Sequence, residues 1–171
     1  VQLFDKYNLF VLPSRNESFG LVVLEALSRG CKILTTVNTP WGDDKFKERP
    51  FLTFVTCPIS PLKMSTHHCD IIIEAAENGM GTNCVGMAMA GASSPIHLAG
   101  TLVQQNCEIL SSLLLSQLVK KGSPFVYGSS TCPMDLRFAT ASVGAPETGM
   151  ISAAVARLAN YYHLPSFAAG G

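Results

Sequence analysis

The strongest constraint on this chain is an alternation. A short β-branched apolar run is followed by a turn rich in Gly, Ser and Pro, and then by a longer stretch at helical spacing. After residue 50 the runs are "FLTFVTCP" (51–58), "TNCVGMAM" (82–89), "PFVYGSS" (124–130) and "SFAAGG" (166–171), all of strand character. Between them lie three predicted helices. Over 65–79, Cys69, Ile72, Ile73 and Ala76 recur at helical spacing and Gly79 ends the helix. The second runs from a Ser94 cap, with Pro95 in first position, to about Lys120. Its apolar stripe, Val103, Cys107, Leu110, Leu114 and Leu118, is expected to face the core. The third opens at Pro146, places Glu147 favourably in the helix dipole, and has Met150, Ile151, Ala154, Val155, Leu158 and Tyr162 as its apolar face. Strands joined by crossovers of this length pair in parallel. Their continuous apolar character predicts burial on both faces.

A shorter unit precedes these: "LFVLP" (9–13), a helix "SFGLVVLEALSRG" (18–30) closed by Gly30, and "KILTT" (32–36). The polar, Pro-bounded "NTPWGDDKFKERP" (38–50) separates it from the rest and is the natural boundary. The fold class is therefore α/β, built of parallel βα units, in two regions, 1–48 and 49–171. Ligands of such folds bind at the carboxyl ends of the strands.

Composition removes several functions. The 171 residues carry 12 Lys+Arg against 12 Asp+Glu, so net charge gives no reason to expect nucleic acid or an anionic membrane as partner. No apolar run approaches the roughly 18 residues of a membrane span. The start has no basic leader region, and a cytoplasmic location is expected. The missing initiator Met predicts a fragment or a processed product. Six cysteines, at 31, 57, 69, 84, 107 and 132, form no Cys-x-x-Cys pair. They read as reduced, mostly buried thiols, and adjacent His67 and His68 point to different sides of a helix, so no metal site is expected.

Two stretches carry candidate chemistry. If a helix starts near Ser18, Glu17 and Glu25 lie roughly 12 Å apart. Between them the helix N-terminus and Gly20 suit a diphosphate, while carboxylates accept from sugar hydroxyls. Two solvated helix charges are the plain alternative. The words "LFVLPSRNESFGLVVLEALSRGCKILTTVNTPWGD" (9–43) resemble the nucleotide-sugar domain of retaining GT-B glycosyltransferases. The resemblance implies that Glu17 contacts the donor hexose, Gly20 the diphosphate and Glu25 the ribose, with a nucleotide sugar as ligand and a short Rossmann-like β-α-β piece as fold.

From about Arg49 the words change. "CPISPL" (57–62), "MAMAGASSPIHLAGTLVQQNCEIL" (87–110), "GSPFVYGSSTCPMDLR" (122–137) and "ASVGAPETGMISAAVARLANYYHLPSFAAGG" (141–171) resemble the trimethylamine methyltransferase family. The resemblance implies a TIM barrel, of which four units of eight plus the start of a fifth strand are expected here. It implies methyl transfer from a methylated amine, trimethylamine or glycine betaine, to the cobalt of a corrinoid (cobalamin) carried by a partner protein. Some members contain pyrrolysine, so an in-frame amber codon is expected after Gly171. Such transfer needs no protein nucleophile, and no catalytic residue is assigned. Tyr127 offers an aromatic face to a methylated ammonium; Asp135 and Glu147 are carboxylates near the same rim, and Ser93 lies in a rim loop. Each has a structural alternative: strand core for Tyr127, a turn cap for Asp135, first-turn capping for Glu147. An open half-barrel would expose strand edges and a half-built core, and is expected either to be unstable alone or to self-associate. The remaining alternative is an inactive α/β fold made of spliced units.

Overall fold

A computed structural model of the chain describes residues 9–12, 32–35 and 53–169. Strands β1 (Leu9–Leu12) and β2 (Lys32–Thr35) form a parallel pair, Leu9 opposite Lys32. The helix expected between them, with Glu17, Gly20 and Glu25, lies outside the described residues.

The main body is a four-stranded, wholly parallel sheet in the order β3-β4-β6-β9. Its strands are β3 (Thr53–Thr56), β4 (Gly81–Gly86), β6 (Phe125–Ser129) and β9 (Ser166–Ala168). Three helices link them in turn: α1 (Thr66–Glu77), α2 (Leu98–Val119) and α3 (Pro146–Tyr161). Strand order equals chain order, so each crossover adds the next strand to the same edge. These are three complete βαβ crossovers, one unit fewer than the sequence reading counted.

Short strands at the rim form a separate three-stranded sheet. β5 (Met89–Ala90) follows β4 after a break, and β7 (Cys132–Asp135) follows β6 and pairs with β5 in parallel. β8 (Thr140–Ala141) returns antiparallel against β7, which gives the order β5-β7-β8. The run expected as one strand over 82–89 is thus two strands.

Helix starts follow local chemistry. Ser65 caps α1, its Oγ accepting from His68 N at 3.3 Å. Pro146 stands in the first turn of α3, as its fixed φ favours. For α2 the expectation fails: the helix begins at Leu98, with His97 as cap. Ser94 is instead bonded to Thr101 Oγ1 at 3.1 Å and bridged to Ala90, which holds 91–95 as a separate rim loop.

The core lies between the sheet and α2 and α3, around Cys84, Ile109, Phe125, Tyr127, Ile151, Val155 and Ala159. Burial of the strands departs from expectation. β4 is buried throughout, whereas β3 alternates exposed and buried because it is the outer strand of this sheet. Helix α2 reverses the predicted orientation. Val103, Leu114 and Leu118 are 64%, 60% and 75% exposed, and Cys107 is exposed as well. The buried face carries Thr101, Gln105, Glu108, Ser112 and Ser116 beside Ile109. On α3, Met150 likewise faces outward while Ile151, Val155 and Ala159 are buried. On α1, Cys69 and Ile73 are only half-buried, and Ile71 and Ala75 take the core positions.

Candidate active site at the strand carboxyl ends

Because β3, β4, β6 and β9 are parallel, their carboxyl ends and the loops that follow share one rim. The polar face of α2 explains how the rim loops are held. Glu108, 2% exposed, accepts from Ser60 Oγ at 2.9 Å through Oε2 and from Leu62 N at 2.9 Å through Oε1. Gln104 donates to the same Oε1 at 3.2 Å and to the Ser93 carbonyl at 2.8 Å. The 57–63 and 91–95 loops are thereby tied to one turn of α2. The first also carries a cis Ser60–Pro61 bond and Leu62 at φ 52. A buried carboxylate needs such donors, since without them its desolvation would oppose folding.

Beneath this anchor runs a second chain of polar groups. Thr56 Oγ1 lies 2.8 Å from His68 Nδ1, and His68 Nε2 lies 2.9 Å from Ser112 Oγ. Ser112 gives its one hydroxyl proton to the Glu108 carbonyl at 3.0 Å. It therefore accepts from His68 Nε2–H, and Nδ1 accepts from Thr56. Burial pushes the His68 pKa down, consistent with this neutral ring. Near the ends of β4 and β6, Ser129 Oγ donates to Gln105 Oε1 at 3.0 Å, and Ser130 N and Thr131 Oγ1 both donate to the Gly86 carbonyl. Sequence reading missed Gln104, Gln105, Glu108, His68 and Ser112. The available signal was the polar residues at helical spacing on α2, which a search for apolar stripes passes over.

The four residues proposed from sequence occupy separate settings. Tyr127 is fully buried in the core. Its hydroxyl donates to Asn106 Oδ1 at 2.9 Å, Asn106 Nδ2 donates to Tyr162 at 2.9 Å, and the two tyrosine rings stack at 6.3 Å. It faces the helices, so its ring is occupied by packing. Asp135 Oδ1 accepts from Arg137 N at 2.8 Å and Phe138 N at 3.3 Å, the capped turn foreseen as its structural alternative. Glu147 is exposed in the first turn of α3. Ser93 Oγ accepts from Met89 N at 2.9 Å, shaping the 91–95 loop. Among the described residues no hydrogen bond joins any two of the four.

The described cysteines are free. Cys84 and Cys132 are buried, Cys57 and Cys69 half-buried and Cys107 exposed, so fewer are buried than expected. Burial pushes the Cys84 thiol up to about 12, which makes it inert packing at neutral pH. No three His, Cys, Asp or Glu side chains among the described residues are grouped to hold a metal ion. No described helix is long and apolar enough to cross a membrane.

Comparison with known proteins gives one consistent family. A family model described as trimethylamine methyltransferase (MTTB) matches residues 17–171. The trimethylamine methyltransferase MttB of Desulfitobacterium hafniense is 54% identical over 130 residues, which are 76% of this chain and 26% of that protein. MttB of Methanosarcina thermophila is 50% identical over 128 residues, 75% of this chain and 26% of that protein. The glycine betaine methyltransferase of D. hafniense is 36% identical over 130 residues, 76% of this chain and 27% of that protein. The chain spans about a quarter of the length of the curated relatives it matches. The match from residue 17 takes in Glu17, Gly20 and Glu25 and crosses the boundary placed at 48/49. The glycosyltransferase resemblance of the first region finds no support in these comparisons. On this evidence the chain belongs to the MttB trimethylamine methyltransferase family.

Proposed function

We propose that this chain is part of a methyltransferase that takes a methyl group from trimethylamine and delivers it to the cobalt of a corrinoid held by a separate protein. The observation that carries the reading is the identity gradient: 54% to a trimethylamine methyltransferase against 36% to a glycine betaine methyltransferase, over segments of equal length. The gradient favours trimethylamine over a zwitterionic substrate. In the reaction the C–N bond of protonated trimethylamine breaks, its electron pair stays on nitrogen, which departs as neutral dimethylamine, and the methyl bonds to the acceptor's cobalt through an electron pair supplied by the reduced metal, Co(I) becoming Co(III). The corrinoid protein is thus a second substrate. The work left to this chain is to fix the amine, exclude water and aim the methyl outward, all of which are positional and electrostatic tasks.

The β3-β4-β6-β9 arc is read as part of a barrel whose other strands lie in the remainder of the parent protein. Its rim loops, drawn together by Glu108 and Gln104, form one side of the active-site mouth. The test uses the parent protein, purified with its corrinoid partner in the reduced state. Methylation of cobalt is followed by its absorption spectrum with trimethylamine, glycine betaine or dimethylamine as donor. Transfer from trimethylamine at least ten times faster than from glycine betaine is expected. Equal rates, or transfer from glycine betaine alone, would overturn the substrate choice.

A further inference from the structure

One turn at the rim exposes large apolar side chains on a backbone that is held from below. β7 and β8 form a hairpin, Asp135 opposite Thr140, with residues 136–139 as its tip. The tip is locked at both ends. Asp135 Oδ1 accepts from the N–H groups of Arg137 and Phe138. Ala139 closes the turn at φ 52, a left-handed conformation that alanine adopts only where its surroundings impose it. The hairpin is rooted in the rim sheet, where Cys132 and Pro133 pair with Met89 and Ala90. Yet Leu136 and Phe138 are 62% and 75% exposed, and Ile96, on the loop that leads into α2, is 60% exposed. Leu136 and Ile96 converge on Gly91: a Cβ there would lie 3.5 Å from Leu136 Cδ2 and 3.7 Å from Ile96 Cγ1. Gly91 itself stands at φ 87, where a side chain would be strained. Two loops far apart in sequence thus bring apolar side chains together at the surface.

Single exposed apolar residues are ordinary; a cluster of them on a stiff turn marks a contact surface. A fixed backbone loses little freedom when a partner lands on it, and large side chains held in place dominate such contacts. Charge narrows the partner. Arg137, exposed between Leu136 and Phe138, is the one charged residue of the tip, and Asp135 at its foot is already taken by backbone N–H groups. The surface therefore fits an apolar patch with a carboxylate beside it. Around a two-fold axis a second copy would set Arg137 against its own twin, a like-charge contact. Position narrows the partner further. β7 follows β6 past its carboxyl end, so the hairpin belongs to the rim. A methyl that leaves the site for a cobalt on another protein crosses that rim, and the cobalt-bearing face must come down on it. We propose that Ile96, Leu136 and Phe138, with Arg137 among them, dock the corrinoid-carrying protein through an apolar, acid-flanked patch beside its cobalt. This rests on the methylated-amine reading above and adds to it the surface that the second substrate meets.

The test uses the parent protein with its reduced corrinoid partner, and measures KM for each substrate and the affinity of the two proteins by titration calorimetry. Leu136→Ser/Phe138→Ser is expected to raise the KM for the corrinoid protein, and to weaken its binding, by about tenfold or more. The KM for trimethylamine should stay as in the wild type, with thermal melts reporting whether the variant folds. Arg137→Glu should raise the KM for the corrinoid protein about threefold, an effect that shrinks as salt is added. If the double variant does not fold, Arg137→Glu decides, and an unchanged KM overturns the proposal. A folded double variant that binds the corrinoid protein as the wild type does overturns the docking surface and leaves the methylated-amine reading standing. A raised KM for trimethylamine with corrinoid-protein binding unchanged places the tip in the amine site and overturns the proposal as well. A wild-type parent that binds the corrinoid protein but takes no methyl from a methylated amine overturns that reading alone. One that binds no corrinoid protein overturns both.

Discussion

At the scale of single residues, Glu108 and His68 show how a polar side chain becomes structural. Glu108 is the acceptor for Ser60, Leu62 and Gln104 together. Glu108→Ala leaves three donors without it. Orphaned buried donors cost roughly 1–3 kcal/mol each, but the 57–63 loop can rehydrate, so a loss of about 2–3 kcal/mol in urea unfolding is expected. Glu108→Gln, which keeps one acceptor oxygen, should lose about half as much. His68 sets a pH dependence of definite sign. Its folded pKa is lowered by burial, whereas the unfolded chain protonates near about 6.5. Below that pH the unfolded state binds a proton the folded state refuses, so stability falls as pH drops through about 6.5 towards the lowered folded value. The urea midpoint of the wild type should be lower at pH 5.5 than at pH 7.5. In His68→Gln, less stable at both, the difference between the two pH values should shrink. An equal difference in the variant would show that another group carries the effect.

At the scale of elements, the limits of sequence reading have a single physical origin. Element type was legible because β-branched runs, Gly79 and Pro146 act locally: the three described helices and four main strands fall within the stretches that periodicity marks, although α2 starts at Leu98 rather than Pro95 and the 82–89 run breaks into two strands. The face each element buries was less legible, because burial depends on what stands opposite. Val103, Leu110, Leu114 and Leu118 form a clean stripe, and apolar stripes usually face inward. Here Thr101, Glu108 and Ser112 are satisfied by the Pro95 carbonyl, Ser60 and His68, and that bonding turns α2 the other way. The same logic promoted Tyr127, whose partners on α2 and α3 are distant in sequence. The orientation of α2 predicts opposite outcomes for two leucine-like positions. Ile109→Ala, in the core, should cost about 2–5 kcal/mol. Leu118→Ser, three-quarters exposed, should change urea stability by less than about 0.5 kcal/mol. A large loss in Leu118→Ser would mean that the stripe is covered in solution.

At the scale of the whole molecule, the question is what a four-stranded parallel sheet does with an open outer edge. β9 ends the main sheet, and its inner side is fixed by Tyr127 N donating to the Pro165 carbonyl and Ala169 N donating to the Ser129 carbonyl. Ladder alternation then turns the N–H groups of Ser166 and Ala168 away from β6. An outward row of donors and acceptors is a template for another strand. In the isolated chain a second copy is the nearest source of one, and the exposed Phe167 adds apolar area to the contact. The chain should therefore show a sedimentation-average mass that rises with concentration across the micromolar range. Ala168→Pro separates edge pairing from association through the α2 stripe: proline removes an outward N–H while leaving the bonds to β6 intact. If the edge drives association, Ala168→Pro sediments as a monomer at concentrations where the wild type does not. If the variant associates as strongly as the wild type while Leu114→Ser/Leu118→Ser does not, the outer face of α2 is the contact instead.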